Sequence, residues 1–171
     1  MHDLKNTTGA IDIIGTRIEY KTEFSSDPRA YCMCTSIIPA GVVVPLHSHP
    51  DRETLYITSG ILEVFNGEKW RTIGAGDTFD VMADVRHAYR NTSIHRVSGV
   101  LVTTTSLASF LASVGRPVPA DEPGPADFHA FVAAAAEHGI WIGAEHENAA
   151  IGISMFAQMA PKMKRPASLM H

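Results

Sequence analysis

The feature that most constrains this chain is a rhythm. From residue 11 to residue 105 it runs in short segments rich in β-branched and aromatic residues, each closed by a turn signal. The segments are IDIIGTRIEY (11–20), YCMCTSIIP (31–39), ETLYITS (53–59), ILEVF (61–65), KWRTI (69–73), TFDVM (78–82), RHAYRN (86–91) and VSGVLVTTT (97–105). Evenly spaced short strands of this kind build an all-β sandwich or barrel. Asn66-Gly67 lies between the fourth and fifth segments, and its tolerance of left-handed backbone predicts a hairpin with a type I′ turn.

After residue 105 the period changes. Ser106 is placed to cap a helix whose apolar face is Leu107, Phe110, Leu111 and Val114, with Gly115 to end it, and this face is expected to pack on the barrel. RPVPADEPGP (116–125) reads as an extended Pro-rich linker. A second helix is expected over 127–138, with Phe128, Phe131, Val132 and Ala135 on one face and Gly139 as its stop, as a lid or clasp. The tail from residue 149 on holds four of the seven methionines and a short basic run, suited to packing against another subunit. The chain therefore divides into a barrel with its packing helix (1–115) and a linker, second helix and Met-rich tail (116–171).

With 171 residues and 45% apolar content there is material for one domain with a proper core plus an appendage. A formal charge of −4, with the charges mixed, excludes the basic stripe of a nucleic-acid binder. There is no run of eighteen apolar residues and no leader pattern at the N-terminus, so a cytoplasmic protein with no membrane partner is expected. Cys32 and Cys34, the only cysteines, sit two apart on one strand face and are expected to be buried free thiols.

The stretch GVVVPLHSHPDRETLYITSG (41–60) is the chemical anomaly: two histidines and a glutamate inside an apolar run. Burying one unpartnered ionisable group costs several kcal/mol, so the cluster calls for hydrogen bonds or a metal. Alternate residues of a strand share a face, so His47 and His49 point one way, and Glu53 can join them after a short turn. In GDTFDVMADVRHAYRN, His87, Tyr89 and Asn91 alternate onto one face and offer a further ligand. Imidazoles and a carboxylate suit iron, manganese, nickel, zinc, cobalt or copper, whereas a thiolate set would have indicated structural zinc.

These residues resemble the cupins. The first cupin motif, G-x5-H-x-H-x3-E-x6-G, is met at every fixed position by Gly41, His47, His49, Glu53 and Gly60. The second, G-x5-P-x-G-x2-H-x3-N, is met by Gly76, His87 and Asn91 and departs at Met82 (family Pro) and Asp84 (family Gly). Asp accepts a left-handed backbone less readily than Gly, but no ligand is lost. The resemblance implies a cupin jelly-roll (double-stranded β-helix) barrel with a short C-terminal helical extension. It also implies one divalent transition metal per chain, held by His47, His49, Glu53 and His87. The helix, linker and AAAAEHGIWI segment are similar to the tail of small quercetin-dioxygenase-like cupins.

The functional expectation is a metal-dependent dioxygenase acting on a small hydroxylated aromatic or enolisable substrate, with Glu53 as ligand and proton acceptor and Tyr89 facing the substrate. Asn91 either orients a ligand or bonds a turn. The alternatives are a metal-dependent isomerase and a non-catalytic small-molecule-binding cupin; only about thirty residues precede the 31–39 strand, too few for the helix-turn-helix domain of a regulator. Arg52 and Arg86 alternate away from the site and are expected at the surface, and Met33, Trp70 and Trp141 in the core. An apolar outer sheet face and open edges predict a homodimer.

Overall fold

The computed structural model describes residues 9–118 and 128–154. Its strands are β1 Ile11–Ile13, β2 Thr16–Tyr20, β3 Tyr31–Ile38, β4 Val43–Ser48, β5 Glu53–Ser59, β6 Ile61–Phe65, β7 Trp70–Gly74, β8 Thr78–Val81, β9 His87–Arg90, β10 Val97–Thr104, β11 Arg116–Pro117 and β12 Trp141–Ile142. The helices are α1 Thr105–Val114, α2 Phe128–Glu137 and α3 Glu145–Ala150. One sheet has the order β11-β1-β2-β3-β10-β5-β8 and the other β12-β4-β9-β6-β7, every pairing antiparallel. This is the cupin jelly-roll, and its core lies between the two inner faces.

Period-two alternation explains the core. On β5, Glu53, Leu55 and Ile57 face in and are buried, while Thr54 and Tyr56 face out. Leu62 and Val64 on β6, Phe79 and Val81 on β8, and Val97 and Leu101 on β10 complete the same cluster. Cys32 and Cys34 are buried free thiols; burial pushes the Cys34 thiol up to about 12, so it is not a thiolate.

Several expectations are corrected. Residues 11–20 form two strands, not one, because Ile14 and Gly15 adopt positive φ (51° and 88°) and fold β2 back on β1. The β6–β7 hairpin closes on Asn66–Lys69 with Gly67 alone at positive φ (93°), so it is not a type I′ turn; the Asn66 carboxamide instead accepts the amides of Glu68 and Lys69. The cap of α1 is Thr104, not Ser106: its hydroxyl accepts the Leu107 amide at 3.2 Å. Gly115 ends α1 in extended backbone (φ −69°). Met33 is 36% exposed on the outer face of the large sheet, and Trp70 and Trp141 are half-buried on the outer face of the small one. In the 116–125 segment, Arg116 and Pro117 pair with β1; 119–125 and the Met-rich tail from residue 155 lie outside the described residues.

The apolar face of α1 is shared: Leu111 packs on the barrel core, as expected, while Leu107 and Phe110 meet Ala135 of α2 and Ile140 at one end of the sandwich. Among the described residues no helix is long and apolar enough to cross a membrane.

Candidate metal centre

The geometry of the site starts from an irregularity in β4. Val44 opposes Tyr89 and His47 opposes His87, so one extra residue of β4 is accommodated between them. Such a bulge shifts which face successive side chains occupy. Val42 and Val44 face inward; after the bulge the inward set is Pro45, His47 and His49. Pro45 has no N–H for the ladder and suits the place where the ladder breaks.

Each of the three imidazoles is tied by Nδ1 to a backbone carbonyl two residues away: His47 to Pro45 at 2.7 Å, His49 to Asp51 at 2.8 Å and His87 to Val85 at 2.9 Å. A carbonyl can only accept, so each Nδ1 carries the hydrogen and each Nε2 presents its lone pair. One ring nitrogen from each residue lies within 4.8 Å of the others. Nε2 of His49 and of His87 is buried without a hydrogen-bond partner, a cost of about 1–3 kcal/mol each unless a cation is bound. These orphaned nitrogens fit a metal ion, and three histidines are positioned to hold one. Glu53 stands at the edge of the cluster, its carboxylate 3.5 Å from His49 Nε2.

Electrostatics favour the neutral form at His47 and His87, beside an ionised acid, and the opposite at His49. Burial, helped by the neighbouring His87, pulls His47 down to about 3; burial also lowers His87. Burial acts to lower His49 as well, but the Glu53 and Asp51 groups outweigh it and raise its pKa. For Glu53, burial acts upward and is outweighed by the His49 contact and the charges of the three imidazoles, which bring it to about 2.

The loops are held to the same end. Asp84, which replaces the motif glycine, does adopt the left-handed region (φ 63°), and its amide donates to the His49 carbonyl at 2.8 Å, joining the two ligand-bearing loops. Gly60, at the end of the first motif, has φ 87° and leaves no room for a Cβ beside the Arg96 carbonyl.

Above the histidines lies a cavity of about 70 Å³, several times the ~10–15 Å³ that holds one water. Its walls are mostly apolar, with Leu55 and Leu101 from the large sheet, Val44 from the small one, and Phe110, Phe131 and Ile140 from the helical end. Tyr89 lines it as alternation predicted, with its pKa raised by burial and by Glu53. The Asn91 carboxamide is spent elsewhere: it donates to the Ile38 and His95 carbonyls and accepts from Ser93, which is the turn-bonding reading. Arg52 pairs with Asp80 at the surface, and Arg86 lies 4.1 Å over Trp141. Sequence reasoning missed two contributors. One is the helical wall, since the sequence suggests packing on the barrel for α1 and a lid or clasp for α2 but assigns neither to the cavity; the other is the bulge, for which Pro45 inside a strand is the available signal.

Residues 34–102 match the family model described as a cupin domain. Among solved structures, the polyketide cyclase RemF from Streptomyces resistomycificus aligns with a TM-score of 0.51 at 12% identity, covering 61% of this chain and 80% of that one. The cupin domain of an XRE family transcriptional regulator from Enterobacter cloacae aligns at 0.46 with 21% identity, over 53% and 96%. A cupin-superfamily sugar phosphate isomerase from Silicibacter pomeroyi aligns at 0.46 with 17% identity, over 53% and 59%. The search of curated proteins returns no match. Residues 34–102 thus match a cupin domain, the fold is that of the cupins, and three histidines are positioned to hold a metal ion. A fold does not by itself fix a function, which has to be argued from the site.

Proposed function

We propose that the protein is a metal-dependent cupin dioxygenase acting on a small hydroxylated aromatic or enolisable substrate, with the metal held by His47, His49, Glu53 and His87. The observation that carries this reading is the buried set of Nε2 lone pairs, with an ionised carboxylate beside it, at the floor of an apolar cavity. A divalent metal there supplies Lewis acidity toward a substrate oxygen and a site for oxygen. The chain's own residues do the rest. The Leu55, Leu101 and Phe110 walls exclude water and accept an apolar ring or chain. Glu53, held ionised, accepts the proton of the substrate hydroxyl at its carboxylate oxygen. Tyr89, which burial keeps protonated, donates a hydrogen bond from its hydroxyl to a substrate oxygen. An apolar wall with one polar end favours such a substrate over a sugar phosphate.

The test is oxygen consumption by wild type and Glu53→Gln, each reconstituted with iron, manganese or nickel, across catechols, flavonols and β-diketones. The expected result is turnover of at least one compound by wild type, and a collapse of turnover in Glu53→Gln with only a modest loss of metal affinity. If no metal form consumes oxygen while one of these compounds binds and is recovered unchanged, the protein is a binding module.

A further inference from the structure

We infer that Asn148 is a positioning residue for the metal site: it fastens the bulge in β4 that turns His47 inward. Leu46, buried beside the break in the β4–β9 ladder, turns both its backbone groups to the β12 side of β4, where they need partners. Both go to the C-terminal segment. The Leu46 amide donates to Asn148 Oδ1 at 2.8 Å, and the Leu46 carbonyl accepts from the Gly143 amide at 2.7 Å. Asn148 is fully buried, and its Nδ2 donates to the carbonyls of Gly143 (2.7 Å) and Ala144 (3.2 Å). One carboxamide therefore joins both sides of the contact, and no other side-chain type supplies an acceptor and two donors at that reach. β12 continues the contact, with Ile142 opposite His47 and Trp141 opposite Ser48. The residue after Leu46 is His47, whose Nδ1 donates to the carbonyl of Pro45, the residue before Leu46. The orientation of His47 Nε2 thus depends on the backbone that Asn148 holds, from 102 residues away in sequence.

This inference rests on the metal reading, so the experiment carries a metal-free arm. In metal-free protein, ring ¹⁵N spectra are expected to show His47 as the Nδ1–H tautomer in wild type and as a mixture in Asn148→Ala. In the metal arm, Co²⁺ titration with competition by a chelator is expected to show affinity about 10–100-fold weaker in Asn148→Ala, the usual scale for groups that orient a metal ligand, with an altered visible spectrum. Trp70→Phe removes another hydrogen bond to the same segment, to the Ile151 carbonyl; it is expected to lower thermal stability while leaving tautomer, affinity and spectrum unchanged. Should Asn148→Ala not fold, Gly143→Ala replaces it. A Cβ there would stand 3.1 Å from the Leu46 carbonyl oxygen and from Asn148 Nδ2, and is expected to shift the same readouts by less. Wild-type tautomer and affinity in the Asn148 or Gly143 variant would overturn the inference. Failure of wild type itself to bind Co²⁺ would overturn the metal reading and leave the tautomer arm to decide whether Asn148 orients His47.

Discussion

The two sheets contribute to one site but are held in different ways. The large sheet supplies Glu53 from β5, a strand paired in regular register with β8 through residues 53–56 and with β10 through residues 54–57, the one shift in the β10 ladder lying beyond, between Ile57 and Ser59. The small sheet supplies His47 and His87, with His49 directly after the end of β4, and that strand is interrupted where His47 sits. Their outer faces differ as well. That of the small sheet is covered by the chain's own C-terminal segment, where Ile153, Ile151 and Trp141 pack on Leu46, Phe65 and Ala88. That of the large sheet leaves Tyr31 (70% exposed), Met33, Tyr56 and Val102 uncovered. Regular pairing secures a ligand by local alternation, whereas an interrupted strand needs a partner from elsewhere in the chain.

The largest expected effect breaks the small-sheet half outright. Replacing both His47 and His49 by Ala is expected to reduce metal content, by elemental analysis of purified protein, from about one ion per chain to none. Full retention would remove the site from these residues. Next comes the large sheet. Ile57, fully buried and away from the cavity, is expected to cost about 2–5 kcal/mol as Ile57→Ala in urea unfolding, with Co²⁺ affinity unchanged. A parallel loss of affinity would mean that the two halves are not separable as argued.

The difference between the outer faces predicts an assembly. The uncovered face of the large sheet is expected to pair with a second copy, so light scattering at micromolar concentration should report twice the chain mass, and Val102→Lys should reduce it to one. A wild-type monomer would show that this face needs no cover.

A pH series on metal-free protein sharpens the contrast between His47 and His49. His47 titrates at about 3 when folded, below the ~6.5 of an unfolded histidine. Its contribution is therefore complete above pH 6.5 and is lost as pH falls toward 3; His87, also lowered, acts in the same direction. Glu53, at about 2, adds a further loss below pH ~4.5. His49 is raised, so its contribution is present below pH 6.5 and lost as pH rises through its folded value. Chemical-denaturation midpoints are expected to peak near pH 6.5 and fall on both sides, more steeply on the acid side. Acid loss that begins only below pH 4.5 would contradict the lowered histidines. The smallest effect is Trp70→Phe, about 1 kcal/mol for its hydrogen bond to Ile151.

Much of the site was legible because its information is local. His47 and His49 are two apart, Leu55 and Ile57 continue the inward set from Glu53, and turn residues bound each strand; alternation alone brings these side chains to one face. The spacing of the histidines, the glutamate and the motif glycines carried the resemblance to the cupins, and it is that resemblance which implied the jelly-roll and the metal donors. Where the sequence reading went astray, two local options were close in energy. Ser106 and Thr104 are both competent caps, and backbone pairing at the end of β10 selected Thr104. Asn66-Gly67 supports more than one hairpin loop, and the Asn66 side-chain bonds selected another.

Tertiary structure alone decided which way β4 faces at its histidines, what walls the cavity, and what the C-terminal segment does. A bulge is marginal by itself, because it surrenders ladder bonds. Here β4 is held on its other side, where the Asn148 carboxamide and the Gly143 amide bond the backbone groups of Leu46. No period in the sequence relates residue 46 to residue 148, since the contact depends on a hydrogen bond between distant segments and not on a repeat along the chain.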